Sequence, residues 1–432
     1  MVKIPNPNGA VARVVRGHAL GWLVAANAVG LWLAALLLWP TLGDVIAPLS
    51  YGRWMPVHMN WQLYGWCALP LVGLLFRWIL VAEHPGVVRH VHVALCAWSL
   101  ALGLGGVSWL GGTVSGKLFL DWHGWARPVL ALAMLVLWTV LAAHLWWGWR
   151  SEAGWQRWAK LAVLGGLVAV PPLMWWVAGR DVYPAVNRDS GGATGAALLG
   201  STLGIVGIFG FMPRLLGVSQ RAASKQDGST CHVLRDKWWR GGEGWFWGAY
   251  GVSIGAWLAI ERGDSSHHDV EQIVGLGVLL AWIPLLIWWW RRQAWCAGAR
   301  PWILAALAWW ALLVLTGWLT FLPELSERLK FTNGLVAHAH LAMAGLVTSV
   351  NAAILNQLDP ARPLRRGFGL WQGGAAVMVV VLLVMGWFER DHAAAFFYGD
   401  AWWVDAGYGV RLAAGVAMAL ASVQLLRETT RR

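Results

Sequence analysis

Apolar residues in this chain gather in blocks of about 20, long enough at about 1.5 Å per residue to cross a hydrocarbon layer of about 30 Å. Pro, Gly and Arg punctuate the blocks in place of long polar linkers. The pattern predicts twelve spanning helices: His18 to Trp39, Val57 to Ile79, Val91 to Leu110, Ala126 to Trp147, Trp158 to Ala178, Ala196 to Leu216, Trp245 to Ile260, Val274 to Trp290, Pro301 to Leu322, Leu335 to Leu355, Gly367 to Phe388 and Trp402 to Leu426. The seventh is the weakest, because Arg240, Glu243 and several Gly dilute its start. No internal repeat or separate soluble region is visible, and the longest loop, Gly217 to Lys237, is basic. The expected fold is all-α, a polytopic membrane bundle forming one transmembrane domain over residues 1–432.

Composition agrees with that class, since 58% of the residues are hydrophobic and only 12% are charged, more apolar surface than an ordinary soluble domain can bury. The 37 Trp, many of them at block ends, read mainly as headgroup-level anchors. Charge then orients the chain. With the N-terminus inside, most of the 33 Lys and Arg fall in inner segments, whereas Asp121, Asp181, Glu271, Glu389, Asp405 and other acids fall outside. Twelve spans with both termini cytoplasmic in a bacterial inner membrane satisfy both biases. The net charge of +12 is therefore a topology signal, with membrane lipid as the expected partner and no case for nucleic acid. Met1 to Gly17 is polar and basic, unlike a cleavable signal peptide. Cys67, Cys96, Cys231 and Cys296 are scattered, with no paired-cysteine motif, so a bound heme must be held non-covalently.

The chemistry lies in the histidines, because an ionisable ring inside a span is costly and marks a site. His84, His90, His92, His144, His232 and His18 fall near the inner face, and His123, His267, His268 and His392 near the outer face. These read as interfacial or solvated imidazoles, with an inner heme on His18, His92 or His144 as an alternative. His58, His338 and His340 differ, each lying at the outer start of an apolar helix without polar company. Because the chain enters the membrane from outside at both Val57 and Leu335, His58 and His340 reach similar depth and can clamp one iron between two helices. Residues two apart on a helix point about 200° from each other, so His338 faces away from His340 and can serve a different group. The bland alternative is three buried histidines satisfied by hydrogen bonds to their neighbours.

Gly52, Arg53, Pro56, His58 and Asn60, together with Phe331, Thr332, His338 and His340, resemble the corresponding stretches of heme-copper oxidase subunit I. The resemblance is closest to cbb-type cytochrome c oxidases and nitric oxide reductases, and the twelve-span layout with motifs on spans two and ten extends it over essentially the whole chain. It implies that His58 and His340 ligate a low-spin heme b, that His338 is the proximal ligand of a second heme, and that Arg53 pairs with a propionate.

The chain departs from that family where a second metal would sit. The family carries one His on span six and two adjacent His on span seven, whereas the corresponding positions here fall near Ala193 or Thr194 and near Ala259 and Ile260, none of which can replace imidazole at copper. His267 and His268 come about two turns too late, and Tyr250 misses the position of the family's redox tyrosine. Copper is not expected. The resulting expectation is a heme b-binding subunit of a respiratory complex, exchanging electrons between a quinol or another subunit and a c-type cytochrome outside. Three other readings stay open: a terminal oxidase or nitric oxide reductase with an unusual second metal site, a five-coordinate heme at His338 that binds a gas without turnover, and a non-redox scaffold or transporter.

Overall fold

A computed structural model of the chain describes residues 7–117, 119–183, 192–218, 242–262, 265–266, 268–398 and 401–430. Helices dominate, and no β-strand occurs among the described residues. In chain order they are α1 (Pro7–Leu38), α2 (Leu42–Val45), α3 (Tyr51–Asn60), α4 (Leu69–Ile79), α5 (Val87–Leu110), α6 (Val129–Gly148), α7 (Gly154–Val168), α8 (Val170–Val177) and α9 (Gly195–Leu215). They continue as α10 (Glu243–Ile260), α11 (Val270–Arg291), α12 (Arg300–Leu319), α13 (Pro323–Leu329), α14 (Asn333–His340), α15 (Thr348–Leu358), α16 (Phe368–Glu389), α17 (Ala393–Tyr398) and α18 (Trp402–Thr430). Two π-helical segments, Trp61–Cys67 and Leu341–Val347, link α3 to α4 and α14 to α15.

Among the described residues, ten helical stretches are long and apolar enough to cross a membrane, which makes the chain a polytopic helical membrane protein. Two expected blocks are not among the ten, each for a local reason. The second is divided, because Pro70 has no N–H to give the Trp66 carbonyl and the helix breaks at Ala68 between the π segment and α4. The seventh forms the 18-residue helix α10, whose apolar character is thinned by Glu243, several Gly and a Tyr.

The chain groups into two compact units, residues 1–183, 296–306 and 331–432 in the first and 184–295 and 307–330 in the second. In the first, α1 packs along α3, the Trp61–Cys67 segment, α4, α5 and α18, while α16 packs along both α14 and α18. In the second, α9, α10 and α11 pack pairwise.

Tryptophan contributes to the core as well as to the edges. Trp39, Trp146, Trp158, Trp245 and Trp402 are exposed near helix ends, as anchors should be, but Trp66, Trp282, Trp290, Trp302, Trp310 and Trp371 are fully buried. A buried indole N–H favours an acceptor, and each of these six finds one, whereas the equally buried Trp122 indole has none among the described residues. Trp290 donates to the Phe209 carbonyl at 3.0 Å, Trp302 to Leu364 at 2.8 Å, Trp310 to Trp282 at 2.9 Å, and Trp282 to the Ser253 hydroxyl at 3.0 Å.

A close helix approach in the first unit seats the start of α14. A Cβ on Gly386 of α16 would lie 2.0 Å from the Gly334 backbone nitrogen, so only glycine lets α16 reach that turn. Glu389, one turn on, accepts the Asn333 N–H at 2.6 Å and its side-chain amide at 2.9 Å, placing a carboxylate on the α14 N-terminus. Gly386→Ala is expected to destabilise the detergent-purified protein by about 1–3 kcal/mol or more through overpacking. Gly373→Ala on the same helix, with open space at its Cβ, should be neutral or slightly stabilising. Paired thermal melts check this, and equal melting temperatures for the two variants would refute it.

Candidate functional site

His58 projects from α3 against α1. Its Nδ1 lies 2.9 Å from the Ala26 carbonyl, and a Cβ on Gly30 would come within 2.7 Å of its Cε1. A carbonyl can only accept, so Nδ1 carries the proton and the lone pair of the neutral ring sits on Nε2. His340, the last residue of α14, is set the same way, its Nδ1 donating to the Val336 carbonyl at 2.8 Å one turn back. Both imidazoles therefore present Nε2 as a ligand atom.

The segments that carry the two rings are locked to each other further along. Trp66 donates its indole N–H to the Thr348 hydroxyl at 2.9 Å, and Asn351 donates to the Trp66 carbonyl at 2.9 Å, the same carbonyl that Pro70 leaves without a main-chain donor. Below this lock α4 and α15 pack on each other, whereas above it α3 and α14 do not form a packed pair. His58 precedes Trp66 by eight residues and His340 precedes Thr348 by eight. The two histidines therefore take matching positions ahead of the lock, each with a π-helical segment after it. Both histidines are half-buried.

The π segments follow the two histidines directly, and the carbonyls that π geometry displaces are taken up by side chains. Thr348 donates to Met343 at 2.9 Å, Ser349 to Gly345 at 2.7 Å and Trp371 to Ala344 at 2.8 Å. Such widened turns recur at functional sites.

Charge enters from α18. Arg411, half-buried, interacts electrostatically with both His58 and His340 and with Tyr51 and Tyr408, and Tyr408 is hydrogen-bonded to Asn333. The sequence reading passed over Arg411, although a lone guanidinium inside the apolar block Trp402 to Leu426 was a usable signal. Arg53 lies further along, donating from Nη1 to the Leu110 carbonyl at 3.0 Å with its guanidinium against Gly112, whose φ of +89° requires glycine. His338 is half-buried on α14.

Other predicted positions are placed as follows. Thr194 caps α9 by accepting the Ala197 N–H at 3.1 Å, and Tyr250 donates to the Leu203 carbonyl at 3.2 Å. The His268 N–H bonds the Ser266 hydroxyl at 3.0 Å, while His267 and His232 lie outside the described residues. Three histidines expected singly at the interface instead cluster: His90 Nδ1 and His144 Nε2 are 3.1 Å apart, and His84 stacks on Trp147 at 4.1 Å. His144 is fully buried and accepts the Val81 N–H at 3.2 Å.

Two neutral imidazoles offering Nε2 from separate segments can each supply one ligand to a metal-containing group, and a nearby guanidinium suits an anionic substituent on such a group. No protein-family model matches the chain, and no curated protein is significantly similar to it.

The lock is testable by itself. Asn351→Leu leaves the Trp66 carbonyl without its donor in a buried, apolar setting, and is expected to cost about 1–3 kcal/mol. Thermal unfolding in detergent measures it, and an unchanged melting temperature would show that Asn351 does not hold the two segments.

Proposed function

We propose that this chain is a heme b-binding membrane subunit of a respiratory electron-transfer complex, crossing the bilayer twelve times with both termini in the cytoplasm. His58 and His340 are the axial ligands of a low-spin heme b, and His338, turned about 200° away, is the proximal ligand of a second heme. The observation that carries the reading is the pair of Nδ1-anchored imidazoles, each eight residues ahead of its partner in the Trp66–Thr348 lock, on α3 and α14, which do not form a packed pair.

The residues present fit the group. Gly30 keeps the face of α1 flat where a Cβ would strike the His58 ring, and the two main-chain carbonyls fix the tautomer that ligation needs. Arg411 and Arg53 are the cations available to the propionates. A bound heme with two imidazoles would supply a reversible one-electron couple with no open coordination position. This chemistry suits electron passage between a quinol or neighbouring redox subunit and a c-type cytochrome on the outer side. The span-six and span-seven histidines of oxygen-reducing relatives are absent from this sequence, so a copper-dependent reaction is not part of the proposal.

Purified protein is expected to show a reduced-minus-oxidised heme b spectrum, with extracted heme giving the stoichiometry. His58→Ala and His340→Ala should each abolish the low-spin component, whereas His338→Ala should remove only the component that carbon monoxide perturbs. Normal low-spin spectra from both His58→Ala and His340→Ala protein would sink the assignment, and absence of heme from wild-type protein would favour a non-redox scaffold.

The orientation has its own check. An alkaline phosphatase domain, active only after export, should be inactive when fused after Arg432 and active when placed in the loop around Asp121. The reverse pattern would overturn the proposed sidedness.

A further inference from the structure

A second donor cluster lies on the first unit, away from His58. His18 of α1 and His92 and Cys96 of α5 bring one ligand atom each to within 4.8 Å of one another. His92 and Cys96 are four residues apart, so they share one helix face and arrive together. His18 is twelve residues before Gly30, which puts the cluster about 18 Å along α1 from the His58 contact at about 1.5 Å per residue.

We infer that His18, His92 and Cys96 form a binding site for a single thiophilic d10 cation, zinc(II) or copper(I). Two imidazoles and one thiolate are the donor types such ions select, and three protein ligands leave a fourth position for water or a further ligand. The ligand atoms stand somewhat further apart than in a loaded site, and side-chain rotation closes that difference because His92 and Cys96 are exposed. Neither of these two has a hydrogen-bond partner among the described residues, so nothing competes for the ring or the thiol.

His18 is prepared for ligation. Its Nδ1 is 2.8 Å from the Ser99 hydroxyl, which also accepts the Trp22 indole N–H at 3.0 Å. In the tautomer that donates Nδ1–H to Ser99, Nε2 is the nitrogen left free to ligate, the outer-shell arrangement that orients metal-binding histidines. Three donors converging on a point suit a small ion better than a porphyrin iron, which takes two axial ligands and needs clearance for the macrocycle between them. On binding, the Cys96 thiol loses its proton to solvent and the metal–sulfur bond forms, with no change of oxidation state.

Alkylation of Cys96 in the purified full-length protein tests the site, because a metal-bound thiolate is protected. With N-ethylmaleimide as reagent and peptide mass as readout, added zinc(II), or copper(I) held under reducing conditions, should slow Cys96 modification about tenfold or more, and a chelator should restore it. His18→Ala and His92→Ala should abolish the protection, and Ser99→Ala should weaken it about 10–100-fold in metal concentration. Elemental analysis of the protein as purified distinguishes the two ions, one equivalent of zinc or one of copper each supporting the site. His92 is exposed, so its truncation opens no cavity, and an unchanged melting temperature certifies the variant. Failure of both metals to protect Cys96, or full protection persisting in His18→Ala and His92→Ala, would overturn the proposal.

Discussion

The arrangement of the first unit depends on one carbonyl. Pro70 removes the amide that would have bonded the Trp66 carbonyl, and in an apolar interior an unmet carbonyl costs several kcal/mol, so some other donor has to reach it. Asn351 of the tenth expected block does so at 2.9 Å, while the Trp66 indole binds Thr348 in return. Two segments far apart in sequence are thus fastened at one level by groups that have no water to fall back on. Beyond the fastening, each segment continues for eight residues to a histidine and the two no longer pack.

α1 supplies the second constraint. Trp22, Ala26 and Gly30 recur every four residues and so form one face. Trp22 packs edge-on against Trp61 at 5.1 Å and would collide with any side chain at Gly65, Ala26 receives the His58 N–H, and Gly30 admits the ring itself. Nearby, Asn27 accepts the Gln62 amide at 2.9 Å. The face therefore grades from an aromatic seat to a bare backbone in two turns, and that gradient puts the His58 imidazole rather than a bulkier contact at the top. On the opposite segment the equivalent task falls to Gly386 and Glu389, which set the position of α14 before His340 begins.

Much of this was legible in the sequence. Apolar blocks gave the helical membrane class, and the absence of polar company around His58 and His340 singled those residues out from the other histidines. The break at Ala68 was less visible, because Pro70 lies in an otherwise convincing apolar run and periodicity does not register one missing N–H. Burial of Trp282, Trp290 and Trp310 went unread for a related reason: composition shows how many indoles there are, not which carbonyls will be free to accept them. Arg411 was readable as the one basic residue in the block Trp402 to Leu426. Gly30 was not, since nothing local distinguishes a glycine that faces a ring from one that faces open space. His92 and Cys96 showed their four-residue spacing, but His18 comes from 74 residues earlier, and only the packing of α1 on α5 brings it to them.

The two donor clusters illustrate how similar residues are prepared for different guests. His58 and His340 are each tied to a main-chain carbonyl and stand on different segments, so each lone pair is fixed on Nε2. Half-buried His18 and exposed His92 and Cys96 bring their ligand atoms close together, with the His18 ring held by a hydroxyl, which suits a compact ion. A continuous path of contacts connects them: Ser99 binds both His18 and Trp22, and Trp22 rests on Trp61 and Gly65 in the segment that follows His58. Continuity is not coupling, which needs an element with two discrete arrangements that both sites bias. Trp22 is wedged against Gly65 and hydrogen-bonded at its far end to Ser99, so one face of α1 joins the supports of the two clusters.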